Sequence, residues 1–196
     1  MAEKEVLLHS LLIVSGSEAF DAVVRKALPP GNYMSVNVQR NAAAARRSIL
    51  ERFYDLIVIN APVGDAAEPT FALDLAEMCQ AAIVMAVPQE AYEEVREQVV
   101  DAGILVIAKP FTVNQMRGVL RLAIAWERKL HELRQKVQKA QEKYEDERII
   151  NRAKFLLMEK RGLTEKEAHR QIGAQAMNHG TSRRRIAEWI LEEEED

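Results

Sequence analysis

Between residues 5 and 111, apolar runs of strand length alternate with amphipathic segments. The runs read VLLHSLLIV, YMSVNV, DLIVIN, AAIVMAV and ILVIA. The segments between them, 18–28, 42–53, one ending near Cys79, and 90–101, carry helical spacing. Such alternation predicts an α/β fold: a doubly wound, parallel five-stranded sheet with helices on both faces and crossovers of one hand. Turn signals stand where connections are needed, at Pro29, Pro30 and Gly31 and at Gly103. Lys109, Pro110 and Phe111 follow the last run, and the Pro admits a cis bond there.

The next stretch has another period. Met116, Val119, Ala123, Trp126, Leu130, Leu133, Val137, Ala140 and Tyr144 are spaced alternately by three and four, with no Gly from 119 to 161 and no Pro after 110. That is an a/d heptad seam. Arg128, Lys129, Glu132, Arg134, Lys136 and Lys139 fill the other faces, so a lone helix would leave its stripe in water. At about 1.5 Å per residue it outruns any small domain. A parallel homodimer is the expected solution, with the last helix of the first domain running straight into the coil. Glu147 stands where the next core residue belongs, so the seam ends there.

Residues 145–191 then predict three helices. Ile149, Ile150, Ala153, Leu156 and Leu157 share one side of the first, which Gly162 stops at a position suited to a left-handed cap. Thr164 with Glu167 forms a capping box opening a second helix through about Met177. Thr181 or Ser182 caps a third, whose stripe is Ile186, Trp189 and Ile190. These make one small bundle.

Charge changes the picture here. The chain of 196 residues has a formal net charge of −3, yet residues 145–191 hold ten Lys or Arg against seven Asp or Glu. Arg148 and Arg152 lie away from the apolar stripe, with Phe155 beside them and no core for it to enter. Arg183, Arg184 and Arg185 crowd a helix start, where the dipole disfavours cations. Cations with an aromatic suit nucleic acid, single-stranded RNA loops above all. The plainer reading is a solvated helix face. His169 and His179 read as surface or bundle residues, because no ligand cluster accompanies them.

The run AKFLLMEKRGLTEKEAHRQIGAQAM resembles the ANTAR module, the RNA-binding domain of AmiR and NasR type antitermination regulators. The likeness rests on Ala153 and Lys154, Leu157 and Met158, the Gly162 to Thr164 turn, Glu167 and Ala168, and Ala176 with Met177. It implies a dimer that holds paired hairpins in an mRNA leader and so keeps a terminator from forming. With the charge pattern it singles out Arg148, Arg152, Lys154, Phe155, Met158, Met177, Arg183 and Arg184 as RNA-binding candidates. The chain departs from the family at Phe155, usually Gly, at His169, usually aromatic, and at Gly173 and Ala174, often basic.

In an open parallel sheet, chemistry gathers at the carboxyl ends of the strands. The first half resembles a response-regulator receiver domain, with its KPF motif after the fifth strand. The resemblance implies two acidic metal ligands after the first strand, a phosphoacceptor aspartate after the third and a hydroxyl residue after the fourth. Those places read Ser15 and Gly16, Asn60, and Val87; of the usual set only Lys109 is present. Magnesium wants hard carboxylate oxygens, and an amide is a poor phosphate acceptor. A pseudo-receiver is expected, with no phosphotransfer, no metal and no cofactor, answering to a regulatory protein or a small-molecule effector. Asp65 lies just past this pocket without the convergent ligands a metal needs.

The domains so read are 1–115, a pseudo-receiver; 116–144, a coiled-coil dimerisation helix; and 145–196, the RNA-binding bundle with an acidic tail, Glu192 to Asp196. That tail is a solvated terminus or a phosphate mimic. The single cysteine, Cys79, packs as a small hydrophobe, and neither a signal peptide nor a membrane span is read, so a cytoplasmic protein is expected. A helix-turn-helix DNA-binding regulator is the first alternative and a protein-binding adaptor the second. An enzyme is not expected, since no nucleophile and base pair, phosphate loop or metal cluster is found.

Overall fold

The computed structural model describes residues 9–28, 33–64 and 68–195. The first residues of the run expected to open the sheet, the turn at Pro29 to Gly31, and Asp65 lie outside the described residues. So do Asp196 and the side chains of Glu194 and Glu195 in the acidic tail. The chain divides into two compact units, residues 1–131 and 132–196.

In the first unit, β1 (His9–Val14), β2 (Tyr33–Gln39), β3 (Leu56–Asn60), β4 (Ala82–Pro88) and β5 (Leu105–Lys109) form one sheet. Its order is β2-β1-β3-β4-β5, and every neighbouring pair is parallel. Successive side chains in a strand point to opposite faces, so an uninterrupted apolar run requires a cover on each face. Leu12, Val14, Ile57, Ile59, Ile83, Met85 and Val87 face one side, where α2 (Ala42–Glu51), α3 (Glu68–Met78) and α4 (Tyr92–Val99) supply Ala45, Phe71, Leu75 and Val95. Leu11, Ile13, Leu56, Val58, Val84 and Ala86 face the other. There α1 (Glu18–Ala27) supplies Phe20, Val24 and Ala27, and the first turns of α5 (Val113–Arg161) supply Met116, Leu120 and Ala123. Each fully buried Val, Leu, Ile, Phe or Met side chain contributes about 1.5–3 kcal/mol.

Local signals act as their chemistry requires. Ser17 caps α1 through the amide of Phe20, and Asn41 caps α2 through that of Ala44. Gly103 takes φ +75°, and both Ala61–Pro62 and Lys109–Pro110 are cis. The segment expected as one helix over 90–101 is α4 flanked by single 3-10 turns, Gln89–Ala91 and Val100–Ala102.

α5 is one helix of 49 residues that begins on the sheet and ends in the second unit. The heptad stripe therefore has two fates. Met116 and Ala123 are buried in the first unit's core, so they are not free to pair with another helix, and Val119 is partly buried against it. This corrects the seam read from 116 onward: the stripe that opens a coil and the stripe that covers a sheet are the same pattern until a partner is chosen.

The second unit is built by the end of α5 with α6 (Glu165–Asn178) and α7 (Arg183–Glu195). Ala153 and Leu157 of α5 meet Ala168, Ile172 and Ala176 of α6 and Ile186, Ala187 and Ile190 of α7. Four of these eight are alanines, and small side chains let helix backbones approach closely. Gly162 closes α5 with φ +65°, a left-handed conformation that costs other residues about 1–2 kcal/mol. Thr164 and Glu167 form the full capping box of α6. Gly180 (φ +60°) and Ser182, which accepts from the amide of Arg185, turn the chain into α7.

Candidate functional site

Two surfaces carry the residues singled out by sequence. On the helical unit, Arg148, Arg152 and Arg183 are exposed, as are Phe155 (68%) and Met177 (85%). An exposed phenylalanine on a helix that already fills its core side is available to a ligand, since nothing inside the unit claims it. Arg183 reaches from α7 across Gly173 of α6, whose absent Cβ would meet its Nε and Nη2 at 3.7 Å. A guanidinium from α7 thus overlies Gly173 of α6.

The other candidates are engaged within the unit. Lys154 keeps only 13% of its side chain exposed and donates to Glu165 Oε1 at 2.8 Å, tying α5 to the first turn of α6. Arg184 donates to Asp146 Oδ1 at 2.8 Å and to Glu188 Oε1 at 2.9 Å, and so joins α7 to α5. Met158 packs half-buried against the core. Lys154 and Arg184 thus link helices of the bundle and Met158 packs on its core, contacts that charge counting does not show because Glu165 and Asp146 stand on other helices. Glu188 also accepts from Arg185 at 3.3 Å, and the Arg185 guanidinium stands 5.6 Å over the Trp189 ring, which meets His179 edge-on at 5.7 Å. The dipole cost expected of the three arginines is therefore offset inside the unit for Arg184 and Arg185.

These pairings move the carboxyl groups. The hydrogen bond from Lys154 holds Glu165 below the ordinary carboxylate range, and those from Arg184 and Arg185 do the same for Glu188. Glu167 is lowered by the Thr164 hydroxyl and amide of its capping box.

Along α5 between the units' cores, Trp126 (59%), Leu133, Val137 and Tyr144 (69%) are exposed large hydrophobics, Ala140 is exposed and Leu130 half-buried. An open hollow on this face is lined by Val137, Ala140, Gln141, Tyr144 and Glu145.

The second surface is the carboxyl end of the sheet. Lys109 Nζ donates to Asn60 Oδ1 at 3.0 Å and also contacts the Ala61 carbonyl. Asn60 Nδ2 donates to the buried Ser15 Oγ at 3.2 Å, which in turn accepts from the Ser17 amide and donates to its carbonyl. Val87 is fully buried, and Gly16 offers no side chain. Ser15, Asn60 and Lys109 are thus brought together, as hydroxyl, amide and ammonium. Sequence reading missed Arg40, which donates to the Ser15 carbonyl at 2.8 Å and pairs with buried Asp21 at 2.6 Å. Its place directly after β2 was the available signal. Ser15, Gly16 and Asn60 bring no carboxylate to the pocket, and this donor set does not fit the magnesium a receiver holds. Among the described residues no group of three His, Cys, Asp or Glu is placed to bind a metal, and no helix is long and apolar enough to cross a membrane.

Residues 138–191 match the family model for the ANTAR domain. Transcriptional regulatory protein PdtaR of Mycobacterium tuberculosis is 34% identical over 97 residues, 49% of this chain and 47% of that protein. The aliphatic amidase regulator of Pseudomonas aeruginosa is 33% identical over 86 residues, 44% of either chain. The chain thus spans about half the length of the curated relatives it matches. Among solved structures, the signal receiver domain of an HD domain-containing protein from Pseudomonas fluorescens is similar at a TM-score of 0.57 and 18% identity, over 67% of this chain and 97% of that one. The chemotaxis response regulator CheY4 of Vibrio cholerae is similar at a TM-score of 0.52 and 16% identity, over 59% and 98%. The chain thus carries a receiver-like fold ahead of a segment, residues 138–191, that is similar to the ANTAR domain.

Proposed function

We propose that this protein is a dimeric, RNA-binding transcription antitermination regulator that holds paired hairpins in a nascent mRNA and thereby prevents a terminator from forming. One observation carries the reading: the segment matching the ANTAR domain presents Arg148, Arg152, Phe155, Met177 and Arg183 on the outside of a bundle whose core is already full. Cations position a phosphate backbone, and an exposed ring stacks on an unpaired base. The exposed seam from Trp126 to Tyr144 supplies the dimer contact. Two modest modules on one coil then act at high effective concentration on two hairpins.

The receiver-fold unit works in this reading without phosphorylation. Asn60 in the phosphoacceptor position is an amide already committed to Ser15 and Lys109, so a regulatory protein or a small-molecule effector is the signal. No catalysis is assigned to it.

The test is a competition titration of a labelled tandem-hairpin RNA against matched single-hairpin RNA and duplex DNA, with Arg148→Ala alongside. The expected result is preference for the tandem RNA, lowered by the substitution. Equal binding of all three, vanishing at higher salt, would leave only nonspecific electrostatics. Preference for duplex DNA would support a DNA-binding regulator instead.

A further inference from the structure

With Leu130, Val137 and Tyr144 at a and Leu133 and Ala140 at d, the positions flanking the seam in the second unit are Arg134, Gln141 and Arg148 at e, and Lys136 and Lys143 at g. All five are exposed. Four of the five are cations and none is an anion, although the same stretch of α5 holds Glu142, Glu145, Asp146 and Glu147 on other positions. In a parallel pair, each g residue meets the e residue of the following heptad on the other helix. Lys136 then faces the partner's Gln141, and Lys143 faces the partner's Arg148. Neither contact is attractive, and the second is repulsive. The flanks of this seam do not serve to pair the helices electrostatically.

Their alignment gives them another use. Arg134, Gln141, Arg148 and Phe155 are each seven residues apart, so they fall along nearly one line of α5 at intervals of about 10.5 Å. All four are exposed. The line begins on the seam flank and ends at the exposed ring of the bundle. In the paired coil, Lys136 and Lys143 of the other helix border it, giving a basic track on each side of the dimer.

We infer that the coil is itself part of the RNA site: phosphates of the hairpin stems lie along Arg134, Arg148 and the partner's Lys136 and Lys143, while the loop reaches Phe155. This rests on the RNA-binding reading above and adds a consequence to it. Because Lys143 and the partner's Arg148 repel each other across the seam, phosphates lying on them strengthen the dimer, and the dimer assembles the track that RNA needs. Affinity and self-association are coupled through the flanks.

The charge-reversed variant Lys136→Glu/Lys143→Glu separates this from a simple dimer on which only the bundles bind. The carboxylate introduced at position 143 faces the partner's Arg148 with opposite charge, so the full-length variant dimerises more tightly than wild type in the absence of RNA, read by sedimentation equilibrium at low salt. Its affinity for tandem-hairpin RNA nevertheless falls at least tenfold. Removing four cations per dimer lowers the slope of log affinity against log salt by about 3. Far-ultraviolet circular dichroism checks that the helix is kept, as Glu is a good helix former. Lys136→Gln/Lys143→Gln lowers RNA affinity in the same direction without the added attraction. If both variants bind the RNA as well as wild type, with an unchanged salt slope, the coil is not part of the site and this inference fails while the antiterminator reading stands. If wild type shows no preference for the tandem RNA, both fail together.

Discussion

At the scale of single residues, exposure and partnership divide the cations that charge alone makes equivalent. Arg148 and Phe155 face solvent, whereas Lys154 lies largely buried against Glu165. Phe155→Ala is therefore expected to weaken RNA binding by about 1–3 kcal/mol, the worth of one stacked base, with helical content and thermal midpoint unchanged. Equal affinity in a filter-binding or fluorescence titration would remove Phe155 from the site. Lys154→Ala should do the reverse: the bundle's thermal midpoint drops, and any loss of RNA affinity follows that loss of structure and is recovered on cooling. Leu157→Ala empties the junction of all three helices and should cost about 2–5 kcal/mol in urea unfolding.

At the scale of elements, the helical unit is held by a small core and by a belt of carboxylates on cations and on a cap. Glu165, Glu167 and Glu188 all have folded-state pKa values below their ordinary one. Each favours folding while ionised, so its contribution is fully present above the ordinary carboxylate pKa and is lost as pH falls through the lowered one. The bundle's thermal midpoint should be level from pH 7 to about 5 and decline below about 4.5. Glu165→Gln should flatten part of that decline. A midpoint that rises on acidification would contradict the ion-pair account.

Much at this scale was legible in the sequence, for identifiable reasons. The capping box at Thr164 and the left-handed Gly162 are local chemistry, and the buried strands announce themselves as apolar runs. The seam was legible as a period but not in its allocation, because Met116 and Ala123 look alike whether they face a sheet or a second helix. At the site, Phe155 could be placed by period alone. The burial of Lys154 and the tie of Arg184 to Asp146 could not, because α6 and α7 bring those partners together only through tertiary packing. The amide, hydroxyl and ammonium at the sheet's carboxyl end could be named from sequence, yet Arg40 and its buried partner Asp21 required the fold.

At the scale of the whole molecule, the receiver-like sheet carries Ser15, Asn60 and Lys109 together at its carboxyl end, with no carboxylate from Ser15, Gly16 or Asn60. Incubation with acetyl phosphate and Mg²⁺ should leave the protein's intact mass unchanged, and Asn60→Asp alone should not restore labelling, since the metal's carboxylates remain absent. A phosphoryl adduct on wild type would overturn the phosphorylation-independent reading.

In the proposed function, two copies joined along α5 act together on one RNA. The mass of the complex formed with a tandem-hairpin RNA, measured by sedimentation velocity beside a Leu133→Glu/Val137→Glu variant, tests it most directly. Two protein chains per RNA are expected for wild type, and for the variant a monomer whose affinity for the tandem RNA falls to that for a single hairpin. One chain per RNA, or a variant that binds the tandem RNA undiminished, would contradict it.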